Sequence, residues 1–335
     1  MTAADYERFA YAALAHYQLD SATVTLLSFS ENGTFLVETD NRREVLRVHR
    51  PGYHSLAAVE SELDWMDSVR RDSAIATPQV IPAVDGRRVV EARIGDDVCL
   101  VDLFTFVPGT IAEEDVTGIS FSDLGAITAS LHEHVQNWCP PAGFTRFRWD
   151  LETMLGAGAR WGDWRDAPAL RVADAETIEA AERKIVDRLT RYGTGPDRFG
   201  LVHADLRMSN LMVHEGKITV IDFDDCGWSW FLADLGAVVS FIEDTPEAQH
   251  IVEDWLTGYQ QVRPMPPADL AEIPTFVMLR RLMLTAWIGT HPDSEPARTL
   301  GDRFAAGTAE LARAYLDDPK WFEVGTAIST AHSTT

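Results

Sequence analysis

The chain has 335 residues, 46% hydrophobic and 24% charged, which is long enough for two cores and too apolar for a disordered polymer. Its formal net charge of −23 excludes a nucleic-acid binder, whose partner's phosphates demand a basic face. No apolar run reaches the ~20 residues of a membrane span, and the first ten residues have no signal-peptide stretch. Cys99, Cys139 and Cys226 show neither disulfide nor metal-ligand spacing, so a cytoplasmic, reduced setting is expected.

In chain order, apolar residues at helical spacing from Tyr6 to Tyr17 predict a short leading helix. Strands follow at Val24–Phe29, Thr34–Thr39 and Glu44–Val48. The turn Ser30-Glu31-Asn32-Gly33 between the first two has the small polar residues and glycine that let a loop fold over phosphates, with Asn32 and Gly33 as candidate contacts. Taken alone it is also an ordinary hairpin turn. Ser55 to Arg70 reads as an amphipathic helix with Leu56, Val59, Leu63 and Met66 on one face. Strands at Val89-Val90 and Val98–Val107 end at Pro108-Gly109, which sets the boundary between a first lobe (1–107) and a second (108–326), with a frayed tail at 327–335. The second lobe is helix-rich: Ser122–Gln136, Ala175–Tyr192 capped by Asp174, a helix opening at Thr245-Pro246, Leu270–Ile288 and Arg303–Leu316. A strand-rich third before a helical remainder predicts an α+β fold of two lobes.

The densest chemical signal is His203-Ala204-Asp205-Leu206-Arg207-Met208-Ser209-Asn210, followed by Asp222-Phe223-Asp224. Phe199–Val202 leads in as a strand, Leu211–Val213 leaves as another, and a turn at Glu215-Gly216 returns the chain through Lys217–Ile221 into Asp222. That order suits phosphoryl transfer. Asp205 accepts or orients a hydroxyl proton, Asn210 and Asp222 offer the hard oxygens that Mg²⁺ prefers, and Arg207 can neutralise charge on a transferring phosphate. A loop network of Asx turns, or a metal site from His203, Asp205 and His214, would use the same residues differently. The lysines are Lys184, Lys217 and Lys320, none in the first lobe, so Arg47 stands where a strand-borne lysine would grip the phosphates. Glu62 is its expected ion-pair partner and Glu60 the alternative; a solvated strand arginine beside a surface glutamate is the plainer reading.

These motifs resemble the aminoglycoside phosphotransferase/choline kinase superfamily, and most closely its bacterial phosphotransferase-enzyme or homoserine-kinase-type branch, from Val24 to about Leu316. The resemblance implies a bilobal protein-kinase-like fold, ATP and Mg²⁺ as cofactors, Asp205 as catalytic base, and Asn210 and Asp222 as metal ligands. It further implies that Asp234 braces the catalytic loop and that Leu103 to Phe106 (Leu103, Phe104 and Phe106) form an adenine hinge. Arg47 departs from the common lysine, and Ala204 from the common glycine, the latter a small change. Asp225, Trp228 and Trp230 are candidates for an acceptor cleft, with Trp161, Asp163 and Trp164 a second patch. Aromatics beside carboxylates suit a hydroxylated amine, and an acidic surface both attracts cationic acceptors and serves solubility. The expected activity is transfer of the γ-phosphate to a hydroxyl of an amino alcohol, a hydroxy amino acid such as homoserine, or an aminoglycoside. A Ser/Thr protein kinase and a non-catalytic nucleotide-binding module are the alternatives.

Overall fold

The computed structural model describes residues 1–29, 31–115, 118–318 and 321–322, without the Asp302 side chain. Ser30 of the candidate phosphate loop and the tail 327–335 lie outside the described residues. The strands are β1 (Thr23–Phe29), β2 (Gly33–Thr39), β3 (Arg42–Val48), β4 (Val89–Ile94), β5 (Asp97–Thr105), β6 (Thr110–Ile111), β7 (Phe147–Arg148), β8 (Phe199–Val202), β9 (Leu211–His214), β10 (Lys217–Val220) and β11 (Gly227–Trp230). The helices are α1 (Ala3–Ala13), α2 (Leu56–Asp72), α3 (Phe121–Asn137), α4 (Leu151–Met154), α5 (Val172–Tyr192), α6 (Leu232–Val238), α7 (Pro246–Val262), α8 (Pro267–Leu270), α9 (Ile273–Thr290) and α10 (Glu295–Asp317). The expected α+β class is observed.

Contacts group the chain into two units. The first holds Met1–Ile111, Cys139–Arg146 and Leu211–Asp224; the second holds Ala112–Trp138, Phe147–Asn210 and Asp225–Thr335. The sequence reading cuts the chain once, after residue 107. Two later segments join the first unit through contacts that are remote in sequence. The amide of Thr145 donates to Ser61 Oγ at 2.9 Å, and Val220 N donates to Ala76 O at 2.9 Å.

The first unit is built on an antiparallel sheet in the order β1-β2-β3-β5-β4. Alternation decides which residues it buries: Phe35, Val37, Leu46 and Val48 turn to a core shared with Tyr6, Phe9 and Ala10 of α1. Ser55 starts α2 by accepting the amide of Ala58, and Val59, Leu63, Trp65 and Met66 are buried along it.

In the second unit β7, β11 and β8 form a small sheet. Around it the helices bury long apolar stripes, such as Ile178, Ala181, Ile185 and Leu189 on α5, as their spacing predicts. Asp174 does not cap this helix, which begins at Val172 after Arg171. Instead Asp174 is buried in the first turn, bonded to Arg171 at 2.5 Å and Arg313 at 2.8 Å. Leu270 is separated from α9 because α8 ends there and the helix restarts at Ile273, with a proline at its second position. Among the described residues no helix is long and apolar enough to cross a membrane.

Candidate active site

The loop after β8 is held in a conformation that costs energy. Ala204 has φ +68, a left-handed backbone that a Cβ makes unfavourable by about 1–2 kcal/mol. The glycine-to-alanine difference that looks small in sequence therefore falls where a side chain is strained. Asp234, fully buried at the start of α6, offsets the strain by accepting the amides of His203 at 3.2 Å and Ala204 at 2.7 Å. Behind it, His132 Nε2 lies 3.1 Å from Asp234 Oδ2 and His132 Nδ1 lies 2.9 Å from the Tyr259 hydroxyl. Burial lowers the His132 pKa, so the neutral ring donates to the carboxylate and accepts from the phenol.

Asp205 follows, half-buried. Its Oδ1 lies 2.6 Å from Arg280 Nη2 and 3.2 Å from Arg207 Nε; its Oδ2 lies 3.2 Å from Asn210 Nδ2. Burial raises the carboxyl, but the Arg207 and Arg280 guanidiniums outweigh it and hold the pKa below the ordinary aspartate value. Asn210 also donates from Nδ2 to the Asp205 carbonyl at 2.8 Å, which leaves Oδ1 as the oxygen it can present to a cation. Asp222 follows β10 in the other unit; it is exposed, with φ +60, a conformation aspartate tolerates better than most residues.

Also in the first unit, Arg47 on β3 stands directly opposite Asp102 on β5. Its Nε and Nη2 reach the two Asp102 oxygens at 3.1 and 2.7 Å, and its Nη1 reaches Glu62 on α2 at 2.8 Å. All three are buried, which overturns the reading of a solvated surface pair. Glu60 instead pairs with Arg88. The network extends to His49, 3.1 Å from Asp102, and to Asp224, whose Oδ1 lies 3.2 Å from His54 Nε2 and 3.6 Å from His49 Nδ1. Arg146 closes it, donating to the carbonyls of Ala58 and Asp224 with Glu62 3.7 Å away. Burial alone would neutralise these groups. The mutual attraction wins instead, lowering Asp102 to about 2 and raising His49 to about 9.

A small cleft opens in the second unit, lined by Trp149, Trp161, Met154, Phe276, Ser229 and Arg280. Arg280 lies 4.9 Å from the centre of the Trp161 ring.

A model of the phosphotransferase enzyme family matches residues 23–265. The chain belongs to the phosphotransferase enzyme family. It is similar in structure to the microcompartment-associated aminopropanol kinase, with a TM-score of 0.89 and 45% identity over 94% of this chain and 99% of that one. It is also similar to the amicoumacin kinase hAmiN, with a TM-score of 0.73 and 23% identity over 93% and 92% of the two chains. Amicoumacin kinase of Bacillus subtilis (strain 168) is 26% identical, covering 81% of each chain. The chain is a small-molecule phosphotransferase with an alcohol group as acceptor, and its fold is that of the protein-kinase-like phosphotransferases.

Within this phosphotransferase the predicted site residues divide sharply. Asp205, Arg207 and Asn210 form one hydrogen-bonded cluster, and Arg47 and Glu62 form another. Gly33 sits where a Cβ would come within 2.9 Å of Tyr6, so packing against α1 demands the glycine whatever the loop binds. Asn32 Oδ1 accepts the amide of Arg50 at 2.9 Å. Leu103 is a core residue, and its carbonyl accepts Ile81 N at 2.7 Å, while Thr105 N donates to Gln79 O at 2.8 Å. With that edge already paired, only Phe106 among the three hinge candidates lies beyond the strand; its ring takes the Arg43 guanidinium at 3.9 Å.

The acceptor candidates fare worse. Ser229 lines the cleft, so strand alternation turns Trp228 and Trp230 to the opposite face of β11. Trp230 is buried core, donating to Gly193 O at 2.7 Å and stacking edge-on with Phe199 and Phe276. Asp225 contributes its carbonyl to Trp149 Nε1 at 2.8 Å. Of the second patch, Trp161 lines the cleft, whereas Trp164 is core and Asp163 caps the turn after it. Sequence reasoning missed Arg280, Asp102, His49 and Asp224. The available signal for Arg280 was a charge inside the most apolar helix, which is costly to bury unless paired.

Proposed function

We propose that this phosphotransferase moves the γ-phosphate of ATP, with Mg²⁺, to the hydroxyl of a small amino alcohol. The observation that carries the reading is Asp205, fixed by Asn210, Arg207 and Arg280 on a strained loop that Asp234 braces. A carboxylate so held accepts or orients the acceptor hydroxyl, which is the positioning that a loose phosphoryl-transfer transition state needs. Arg207 is assigned to the charge that develops on the transferred group.

Asn210 Oδ1 and the Asp222 carboxylate are the hard oxygens assigned to the metal, and Mg²⁺ when bound supplies charge neutralisation at the phosphates. The turn at Asn32-Gly33 and the backbone at Phe106 are assigned to the nucleotide. Arg47 enters as the hub of a buried charge network, its Nε and one hydrogen of each Nη already committed to carboxylates.

The acceptor assignment rests on the 45% identity with the aminopropanol kinase and on the aromatic cleft that Arg280 also lines. Trp149 and Trp161 suit an ammonium group by ring–cation attraction. Against a protein acceptor, β11 and α6 fill the stretch after Asp222, leaving no room for a long activation segment. The test is Mg-ATP turnover with 1-amino-2-propanol, ethanolamine, choline, homoserine, aminoglycosides and a Ser/Thr-rich protein. Phosphorylation of a short amino alcohol, lost in Asp205→Asn, is expected; phosphate appearing only on an aminoglycoside or on protein would reject the acceptor assignment.

A further inference from the structure

Two adjacent arginines of α9 serve different masters. Arg281 is fully buried and bonds Glu243, Thr308 and the Phe304 carbonyl, all structural partners. Arg280, about one hundred degrees around the helix, is aimed at the reacting end of the molecule. Its Nη2 lies 2.6 Å from Asp205 Oδ1, its Nη1 donates to the Ala204 carbonyl at 3.1 Å, and its Nε donates to Ser240 Oγ at 2.9 Å. It also lines the cleft beside Trp161.

We propose that Arg280 is the positioning residue for Asp205, fixing which carboxylate oxygen faces the acceptor hydroxyl. The proposal rests on the assignment of Asp205 as the group that receives that hydroxyl's proton. Guanidinium geometry explains why arginine stands here. One planar fork bonds the strained Ala204 peptide and the next residue's carboxylate together, so the loop conformation and the carboxylate rotamer are set as one unit. The Nε bond to Ser240 fixes the fork's own direction, and the Trp161 face covers it from the cleft side. With Oδ1 committed to Arg280, Oδ2 is the oxygen left for the acceptor, where Asn210 donates at 3.2 Å and Arg207 makes a longer contact of 3.4 Å.

The experiment measures kcat and the KM values for Mg-ATP and 1-amino-2-propanol in the full chain, Arg280→Gln, Arg280→Lys, Ser240→Ala and Asp205→Asn, with thermal unfolding in parallel. In Arg280→Gln kcat should fall about ten- to a hundred-fold while KM for ATP holds. Arg280→Lys should not restore kcat, because a single ammonium cannot bond Ala204 and Asp205 as a fork. Ser240→Ala should give a smaller fall in kcat, with KM for ATP again unchanged. Unchanged kcat in the arginine variants, alongside an inactive Asp205→Asn, would overturn the role of Arg280 alone. An active Asp205→Asn would instead overturn the assignment beneath it. Should Arg280→Gln fail to fold, Arg280→Lys and Ser240→Ala decide the matter by the same readouts.

Discussion

At the scale of single residues, the proposed base is held by partners that lie far off in sequence. Asp205 touches Arg280, 75 positions away, and the loop carrying it hangs on Asp234 and through it on His132. Asp205→Asn keeps the shape and most hydrogen bonds but cannot accept a proton. Turnover should drop by at least about a hundred-fold, the usual range of a lost general base, while nucleotide binding measured by calorimetry stays within a factor of a few. Asp234→Ala should act differently, because it leaves two loop amides unpaired around a left-handed alanine. Loss of about 2–4 kcal/mol of stability is expected in urea unfolding, with activity falling as well.

The same scale shows where residue-level reading from sequence succeeds and stops. Asp205, Asn210 and Asp234 are legible because a short loop between strands fixes their spacing within the motif. Arg280 is not, since the periodicity of α9 says only that the position is buried. Which acid neutralises it is decided by tertiary packing. Trp230 has the composition of a binding residue and the environment of a core one, and only the strand's alternation separates the two.

At the scale of elements, β3 and α2 are bound through Arg47. The hairpin registers of β1, β2 and β3 follow from alternating apolar residues, and the pairing of Arg47 with Glu62 follows from an arginine and a helix in that order. Asp102 was invisible as a partner, because β5 reaches β3 only after α2 and β4 intervene. Arg146 was equally hidden, arriving from a segment with no regular structure between Trp138 and β7. The Arg47→Lys change, which restores the residue common in the superfamily, is expected to damage this protein. An ammonium can meet Asp102 or Glu62 but not both with three directed bonds, so one buried carboxylate is left to its second partner, His49 for Asp102 or the more distant Arg146 for Glu62. A loss of about 2–3 kcal/mol in chemical denaturation is expected, at or below the lower end of the roughly 3–5 kcal/mol of a fully broken buried pair, because a second partner remains. Glu60→Ala, which removes a partly exposed partner of Arg88, should cost less than about 1 kcal/mol. Equal effects of the two substitutions would show that burial of the Arg47 network carries no energetic weight.

At the scale of the whole molecule, the buried histidines set how stability depends on pH, and they act in opposite directions. His49 carries a pKa of about 9 in the folded chain, because Asp102 and Asp224 outweigh its burial, against about 6.5 in the unfolded chain. Its contribution is complete below pH 6.5 and is lost as pH rises through 9, since the unfolded state releases the proton first. His132 and His54 are lowered by burial, so the unfolded state takes up their protons first and stability falls as pH drops below 6.5. Asp102 adds a further loss as pH falls from the ordinary carboxyl value of 3.8 through its folded value of about 2. On the alkaline side Cys99, raised by burial to about 11, extends the decline from 9 upward. Maximum stability should therefore lie close to pH 6.5, on the acidic side of neutral. His49→Gln keeps a hydrogen-bond donor for Asp102 but cannot titrate, and it should flatten the decline between pH 6.5 and 9 while leaving the acid side untouched. Melting temperatures from pH 5 to 10 for the two chains test this. A wild-type optimum at pH 8 or above, or a decline that His49→Gln leaves intact, would mean that the buried imidazolium does not exist in the folded protein.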